Sequence, residues 1–241
     1  RLPAMWGGKA MSRLTRNWTL ITASNPKSPI SESYRMLRTG VDYAGVDDPV
    51  DLLMVTSCRA GEGKSTTSAN MAVTFAQAGQ KVLLIDADMR KPSQHHIFSL
   101  SNRGGLTGVL QGRSTLEQGV QAAEVDNLDI LTAGPTPPNP SEMLGSRAMA
   151  ALLELAKEQY DQVIVDTPPI LAVTDAHIVA GKCDGVVLVI DSGKVKSDTA
   201  RKAKETLENA GSRMLGVVLN NVDRDGNSGY YYYYYGGEEQ A

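Results

Sequence analysis

The sequence predicts an α/β protein, a mainly parallel sheet with helices on both faces. Three features point there. Apolar runs of strand length recur at residues 52–55, 82–85, 163–165, 186–190 and 214–219, the pattern of strands buried on both sides. Helix-compatible stretches separate these runs, so strand and helix alternate. Between the first run and its helix lies a glycine-bearing loop, CRAGEG, followed by Lys-Ser-Thr.

The whole chain sets broad limits. Its 241 residues, 41% of them hydrophobic, suffice for one sizeable core, and 23 glycines with 11 prolines suit many tight connections. A formal net charge of −3 argues against a broad nucleic-acid surface, which carries a basic excess. Cys58 and Cys183 form no disulfide framework and suggest a reducing cytosol. No apolar run reaches the roughly 18 to 20 residues needed to cross a bilayer. Three units are expected: a basic arm over 1–30, a nucleotide-binding domain over 31–224 and a tyrosine-bearing tail over 225–241.

The arm carries Arg1, Lys9, Arg13, Arg16 and Lys27, no acidic side chain, and Trp6 and Trp18. It would rest on an anionic leaflet, dock on a partner, or serve only as a solvated leader. Met11 is a candidate natural start, which would make residues 1–10 a tag or a fused piece of another protein. A helix is expected over 31–43, with Ser31 as its N-cap and an interruption at Gly40. Glu32, Arg35 and Arg38 share one face of it. The spacing alone favours a Glu–Arg pair within the helix on a wet surface, worth about 0.2–0.5 kcal/mol.

In the loop, Gly61 and Gly63 let backbone N–H groups turn towards phosphate oxygens. Gly61, Glu62, Gly63, Lys64, Ser65 and Thr66 are therefore candidate nucleotide-binding residues. Lys64 would reach the β- and γ-phosphates, the Ser65 hydroxyl would sit on Mg²⁺, and the helix N-terminus adds partial positive charge. Cys58 stands where the usual pattern begins with glycine. The following helix, 65–79, places Met71, Phe75, Ala76 and Ala78 on a helical repeat and stops at Gly79. The strand over 82–85 then delivers Asp86 and Asp88 at its carboxyl end, where open α/β sheets bind ligands. Capping and turn roles for these two acids remain the alternative.

Short helices are expected over 104–111 and 114–120 and a strand over 128–132. A proline-stiffened loop leads to Ser141 as the N-cap of a long amphipathic helix ending near Gln159, with Met143, Leu144, Leu152, Leu153 and Leu155 in the core. The strand QVIVD ends in Asp166. Strands over 186–191 and 214–220 are joined by a helix over 197–210, and the last strand ends at Asn220. His95, His96 and His177 lack metal-ligand spacing. At the end of the chain Tyr230, Tyr231, Tyr232, Tyr233, Tyr234 and Tyr235 stand between glycines, with Glu238 and Glu239 beyond. A homopolymeric run has no inside or outside, so it reads as a disordered tail keeping its phenols available. Its acidic neighbours argue against stacking on single-stranded nucleic acid, which needs a cationic groove.

Lys64, Ser65, Asp86, Asp88 and Asp166 thus converge on one edge of the sheet. Such a set suits ATP with Mg²⁺, a cation that takes few protein ligands and completes its shell with nucleotide oxygens and water. Transfer to a phenol requires a base, because tyrosine near pKa 10 is protonated at neutral pH. Asp86 is the candidate base, with Ser65, Asp88 and Asp166 around the metal; Asp86 and Asp88 can exchange these roles.

Taken together, CRAGEGKST, LLIDADMR, VIVDTPP, ESYRMLR and the six tyrosines resemble the Walker A, A′ and Walker B motifs, the self-association helix and the terminal cluster of bacterial tyrosine autokinases of capsule and exopolysaccharide systems. The resemblance runs from about Ser28 to the tail and is to the form that works with a separate membrane activator. It implies a P-loop fold of the partition-ATPase-like type and autophosphorylation of the tail. It also implies that Glu32, Arg35 and Arg38 join subunits into a homo-oligomeric ring, an octamer being one form it would take. Implied partners are a membrane-embedded polysaccharide co-polymerase that activates the kinase and a cognate tyrosine phosphatase, at the cytoplasmic face of the plasma membrane, with no nucleic acid. Asn220 resembles the asparagine that relatives place near the adenine base, although a strand-ending turn role stays open. Residues 1–20 do not align and could be a fused activator fragment. A partition- or septum-positioning-type ATPase and a nucleotide-gated scaffold are the rival readings.

Overall fold

A computed structural model describes residues 20–222; the six tyrosines and residues 1–19 lie outside the described part. Seven strands form one sheet: β1 (Leu52–Ser57), β2 (Val82–Asp86), β3 (Gln121–Ala122), β4 (Leu128–Leu131), β5 (Gln162–Asp166), β6 (Gly185–Asp191) and β7 (Met214–Asn220), in the order β3-β4-β2-β5-β1-β6-β7. Among the described residues only the short β3–β4 pairing is antiparallel. The expected mainly parallel sheet is therefore the observed one. Every residue of β1, β2, β5 and β6 is buried, which is why these strands read as apolar runs without alternation. The carboxyl ends of β1, β2 and β5 lie side by side and form the rim where a ligand would sit.

One face of the sheet is covered by α3 (Lys64–Gln77), and α1 (Ile21–Ser24) and α2 (Pro29–Ala44) pack in turn on α3. That second layer explains why the burial of α3 extends well beyond the helical repeat read from the sequence. Twelve of the fourteen residues of α3 are buried, Ser68, Asn70 and Thr74 among them, while Ala78, expected inside, is exposed just beyond its end. α2 also starts earlier than expected. Ser28, not Ser31, is the N-cap; its hydroxyl accepts from the Ser31 N–H at 3.0 Å, and Pro29 occupies the first turn. Ser31 is buried and donates to the Asn25 carbonyl at 2.7 Å. Thr22 donates through its N–H and hydroxyl to Asn70 Oδ1 at 3.1 and 2.8 Å, and Gln77 donates to its carbonyl at 3.0 Å. Residues 20–30, read as part of a free arm, are thereby fastened to α3.

The other face carries α5 (Gly105–Leu110), α6 (Leu116–Gly119), α7 (Pro140–Leu144), α8 (Arg147–Gln159), α9 (Asp175–Ala180) and α10 (Ser197–Asn209). The single helix expected from Ser141 to Gln159 is two. α7 follows Asn139 with Pro140 in its first turn and stops before Gly145; Ser146 then opens α8, accepting from the Met149 N–H at 3.2 Å. Leu144, Leu152 and Leu153 are in the core as expected, whereas Leu155 is 37% exposed. α9, β3 and the turn of helix α4 (Gln94–Ile97) had no signal in the sequence reading.

Candidate active site

The rim begins at the exit of β1. Cys58 occupies the position where a glycine would ease the bend, and the bend is held by a carboxylate: the Cys58 N–H donates to Glu62 Oε2 at 2.9 Å. Glu62 is buried and its carboxyl is raised, first by burial and further by the charge of Asp191. Gly61 and Gly63 both lie in the left-handed region, with φ of +87° and +92°, where a side chain is strained. Gly63 is constrained twice, because a Cβ there would come 2.1 Å from Asn220 Nδ2.

Lys64 opens α3 and its ammonium is enclosed by acids. Nζ lies 2.9 Å from Asp88 Oδ2 and 3.3 Å from Asp166 Oδ1, and donates to Ser65 Oγ at 3.1 Å. Burial alone would favour the neutral amine, but Asp166 and then Asp88 outweigh it, and the pKa rises. Asp86 and Asp166 are register partners at the ends of β2 and β5. Asp86 is fully buried; its Oδ2 accepts from the N–H groups of Ser93 and Gln94, both at 2.9 Å, and its Oδ1 from the Asp88 N–H at 3.2 Å. Burial, followed by the charge of Asp166, pushes its carboxyl up to about 7 against those donors and Lys64.

The structure thus gathers Lys64, Ser65, Asp86, Asp88 and Asp166 at one point, as the sequence expectation had them. It also adds residues the sequence reading missed. Gln94 donates through Nε2 to the Ser65 carbonyl at 3.1 Å and to Asp166 Oδ2 at 2.8 Å, stitching α3 to β5. Nothing in its neighbourhood marks it, since its role depends on the chain returning under the rim as α4. Arg90 makes a two-pronged contact with buried Asp175, Nε–Oδ2 2.8 Å and Nη2–Oδ1 2.9 Å, and Ser141 donates to the same Oδ1 at 2.6 Å. Burial would raise the Asp175 carboxyl, but Arg90 and Ser141 hold it below the usual range. The loop after β2 is in this way tied to α9 and α7.

Other predicted residues lie apart from this cluster. Asn220, at the end of β7, donates to the Glu62 carbonyl at 3.0 Å and so braces the loop. The Thr66 carbonyl accepts from Asn70 within α3. On α2, Glu32 and Arg35 pair within the helix at 2.7 Å, while Arg38 donates to the Thr74 carbonyl at 3.0 Å. His95 and His96 stack at 3.9 Å. A cavity of about 490 Å³ lies on the outer side of the loop, lined by Cys58, Arg59, Leu171, Ala172, Thr199 and Lys202 among others.

The residues present suit a nucleotide with Mg²⁺. Gly61 has open space where a Cβ would be, Lys64 supplies a fixed cation, and Gln94 Oε1 and Glu62 Oε1 are buried without a hydrogen-bond partner. Among the described residues no three acidic, histidine or cysteine side chains are placed to cage a metal. A hydroxyl and two carboxylates beside a phosphate site fit a cation held largely by substrate oxygens and water.

Comparison with known proteins bears on the family and the fold. Residues 50–233 match the ParA family model, described as NUBPL iron-transfer P-loop NTPase. Tyrosine-protein kinase YwqD of Bacillus subtilis (strain 168) is 52% identical over 219 residues, covering 91% of this chain and 92% of the relative. The kinase domain of Escherichia coli tyrosine kinase ETK superposes with a TM-score of 0.83 at 37% identity, covering 91% of this chain and 88% of that one. The crystal structure of the chimerical protein CapA2B2 gives 0.82 at 45% identity, covering 85% and 90%.

Proposed function

The chain belongs to the bacterial tyrosine-protein kinases with a P-loop NTPase fold, and from that premise we propose that it phosphorylates its own terminal run, Tyr230 to Tyr235, from ATP and Mg²⁺. The observation that carries this reading is the ammonium of Lys64 fixed between Asp88 and Asp166 beside the Ser65 hydroxyl, in a chain that also carries six successive tyrosines, Tyr230 to Tyr235.

Lys64, the loop N–H groups after Gly61 and the N-terminus of α3 would hold the phosphates. Ser65, Asp88 and Asp166 would hold the cation, which when bound neutralises charge on the transferring phosphoryl group. Asp86 would accept the phenolic proton as the tyrosine oxygen bonds to phosphorus; its raised pKa suits that task near neutrality, and Oδ1 accepts only one N–H. Asn220 would lie near the adenine. The complete burial of Asp86 and its three N–H donors favour a second assignment, in which Asp86 holds the loop and Asp88 takes the proton.

Transfer between subunits of a ring is part of the proposal. Glu32 and Arg35 lie on α2 beside the exposed apolar side chain of Met36, with Arg38 at the border of that face, where it donates to the Thr74 carbonyl, a mixed face that suits subunit contact. The Glu32–Arg35 pair within the helix would have to open or be shared there. Each phosphate adds about −1.5 to −2 charges, so modified tails would leave an ATP-filled site and the ring would loosen. By the same proposal a membrane-embedded polysaccharide co-polymerase recruits and activates the chain at the inner face of the membrane, a phosphatase resets it, and the cycle governs capsule or exopolysaccharide export. Among the described residues no helix is long and apolar enough to cross a membrane.

Incubation with γ-labelled ATP and Mg²⁺ in the presence of the membrane activator tests this reading. Label on tyrosine supports the kinase, free phosphate alone a partition-type ATPase, and neither a nucleotide-gated scaffold.

A further inference from the structure

β7 is the free edge of the sheet, paired with β6 on one side and with no strand on the other among the described residues. Its register sets Val217 opposite Leu188 and Leu219 opposite Ile190, two members of the core on the α7–α10 face. Opposed residues share a face, so Val217 and Leu219 point to that side as well. There they are 46% and 60% exposed, and Val222, just past the strand, is 52% exposed. The strand reads MLGVVLN, without a charge or a proline. It therefore lacks two of the devices by which proteins usually keep a bare edge from recruiting another strand, and its one irregularity, at Leu215, lies at the start of the strand, before Val217 and Leu219.

The chain beyond the described residues supplies a partner of matching kind. Asn221, with φ +54° and Nδ2 donating to Asp191 Oδ1 at 3.0 Å, already turns the backbone out of the strand. Asp225–Gly226, the signature of a two-residue hairpin turn, follows. Six tyrosines, strong strand formers, come next. We propose that the Tyr230 to Tyr235 segment docks as an antiparallel strand on the free edge of β7, its rings covering Val217 and Leu219, and so stores the phenols on the edge of the sheet.

Nine residues, 221–229, separate the end of β7 from Tyr230, enough chain to reverse direction and lay two alternate tyrosines opposite Leu219 and Val217. A slip of one residue brings other tyrosines to the same places, so the homopolymer keeps an aromatic ring over both side chains in several registers. On the opposite face Gly216 has nothing within 4 Å of where a Cβ would be, which leaves room for a ring from the added strand. Charge makes the docking reversible. Phosphates on successive tyrosines, each about −1.5 to −2, repel one another and cannot lie on an apolar strip, so a modified tail is released.

Amide hydrogen exchange on the full chain without nucleotide tests the docking. The β7 N–H groups that point away from β6 are expected to exchange slowly. They should lose that protection in a full-length variant carrying Val217→Lys and Leu219→Lys, and in one with serine replacing Tyr230 through Tyr235, while β1 amides keep theirs. Equal exchange of β7 in all three proteins overturns the proposal. So does protection that rises with protein concentration and survives the loss of the tyrosines, which would place a second copy on the edge. Because no ATP is present, failure here leaves the phosphotransfer reading untouched, and failure of that reading leaves this one standing.

Discussion

Asn220 fills the space that a Cβ on Gly63 would need: its Nδ2 lies 2.1 Å from that point and donates to the Glu62 carbonyl at 3.0 Å. The last strand of the sheet is thereby keyed into the loop that follows the first. Gly63→Ala should lose about 1–2 kcal/mol from the left-handed backbone alone, plus the cost of the clash. Asn220→Ala in the same chain should remove the clash but not the backbone strain. Denaturant titration of the two single variants and the double variant checks this, and a coupling within about 0.5–3 kcal/mol is expected. Strictly additive losses would mean that the two side chains do not meet.

That pairing shows what was legible in the sequence and what was not. The buried strands and the acids at their ends announce themselves locally, since an uncharged run ending in Asp86 or Asp166 has few other uses. The loop glycines were equally legible, but the reason for Gly63 was not, because the group that excludes a side chain arrives from 157 positions later in the numbering, at Asn220. Gln94, Asp175 and Ser141 were missed for the same reason: each acts on a residue that only the fold brings near. The split between α7 and α8 was readable in principle, as Gly145–Ser146 carries both a stop and a cap. The amphipathic pattern on either side masked it. α3 was legible as a helix, but the burial of its second side was not, because α1 and α2 cover that side only in the fold.

Arg90 and Asp175 should set part of the acid stability. The folded carboxyl is held below its unfolded pKa, so its contribution is complete above about pH 4 and is lost as pH falls through the folded value. Asp175→Asn should lower stability at neutral pH by about 1–3 kcal/mol and flatten the fall in stability below pH 4. Urea midpoints measured across that range check both. A variant with unchanged acid slope would show that the contact is not maintained in solution.

Lys64 is as much a structural cation as a ligand for phosphate. Removing it leaves Asp88 and Asp166 buried without their partner, a loss of about 3–5 kcal/mol for a broken buried pair. Lys64→Met should therefore melt lower than the parent even without nucleotide, and Asp166→Asn in the same chain should recover part of the loss. Thermal unfolding of the three proteins decides it. No recovery would indicate that the ion pair does not bear on stability.

Cys58 should be unreactive despite its place in the loop. Burial first, and then the charge of Glu62, push its thiol up to about 11, leaving a thiolate fraction of order 10⁻³ at pH 8. Alkylation of Cys58 followed by mass spectrometry should track global unfolding, with little labelling of the native protein. Fast labelling at pH 8 would show that the loop opens readily.

The central claim is that the rim around Lys64 moves a phosphoryl group to the terminal tyrosines, and intact-mass spectrometry after incubation with ATP and Mg²⁺ reads it most directly. Protein purified without any other tyrosine kinase and assayed together with its membrane activator should gain several phosphoryl groups, all within Tyr230 to Tyr235, and Lys64→Met protein should gain none. Phosphorylation of that run in Lys64→Met protein, or a parent protein that hydrolyses ATP while its mass stays constant, would contradict the account.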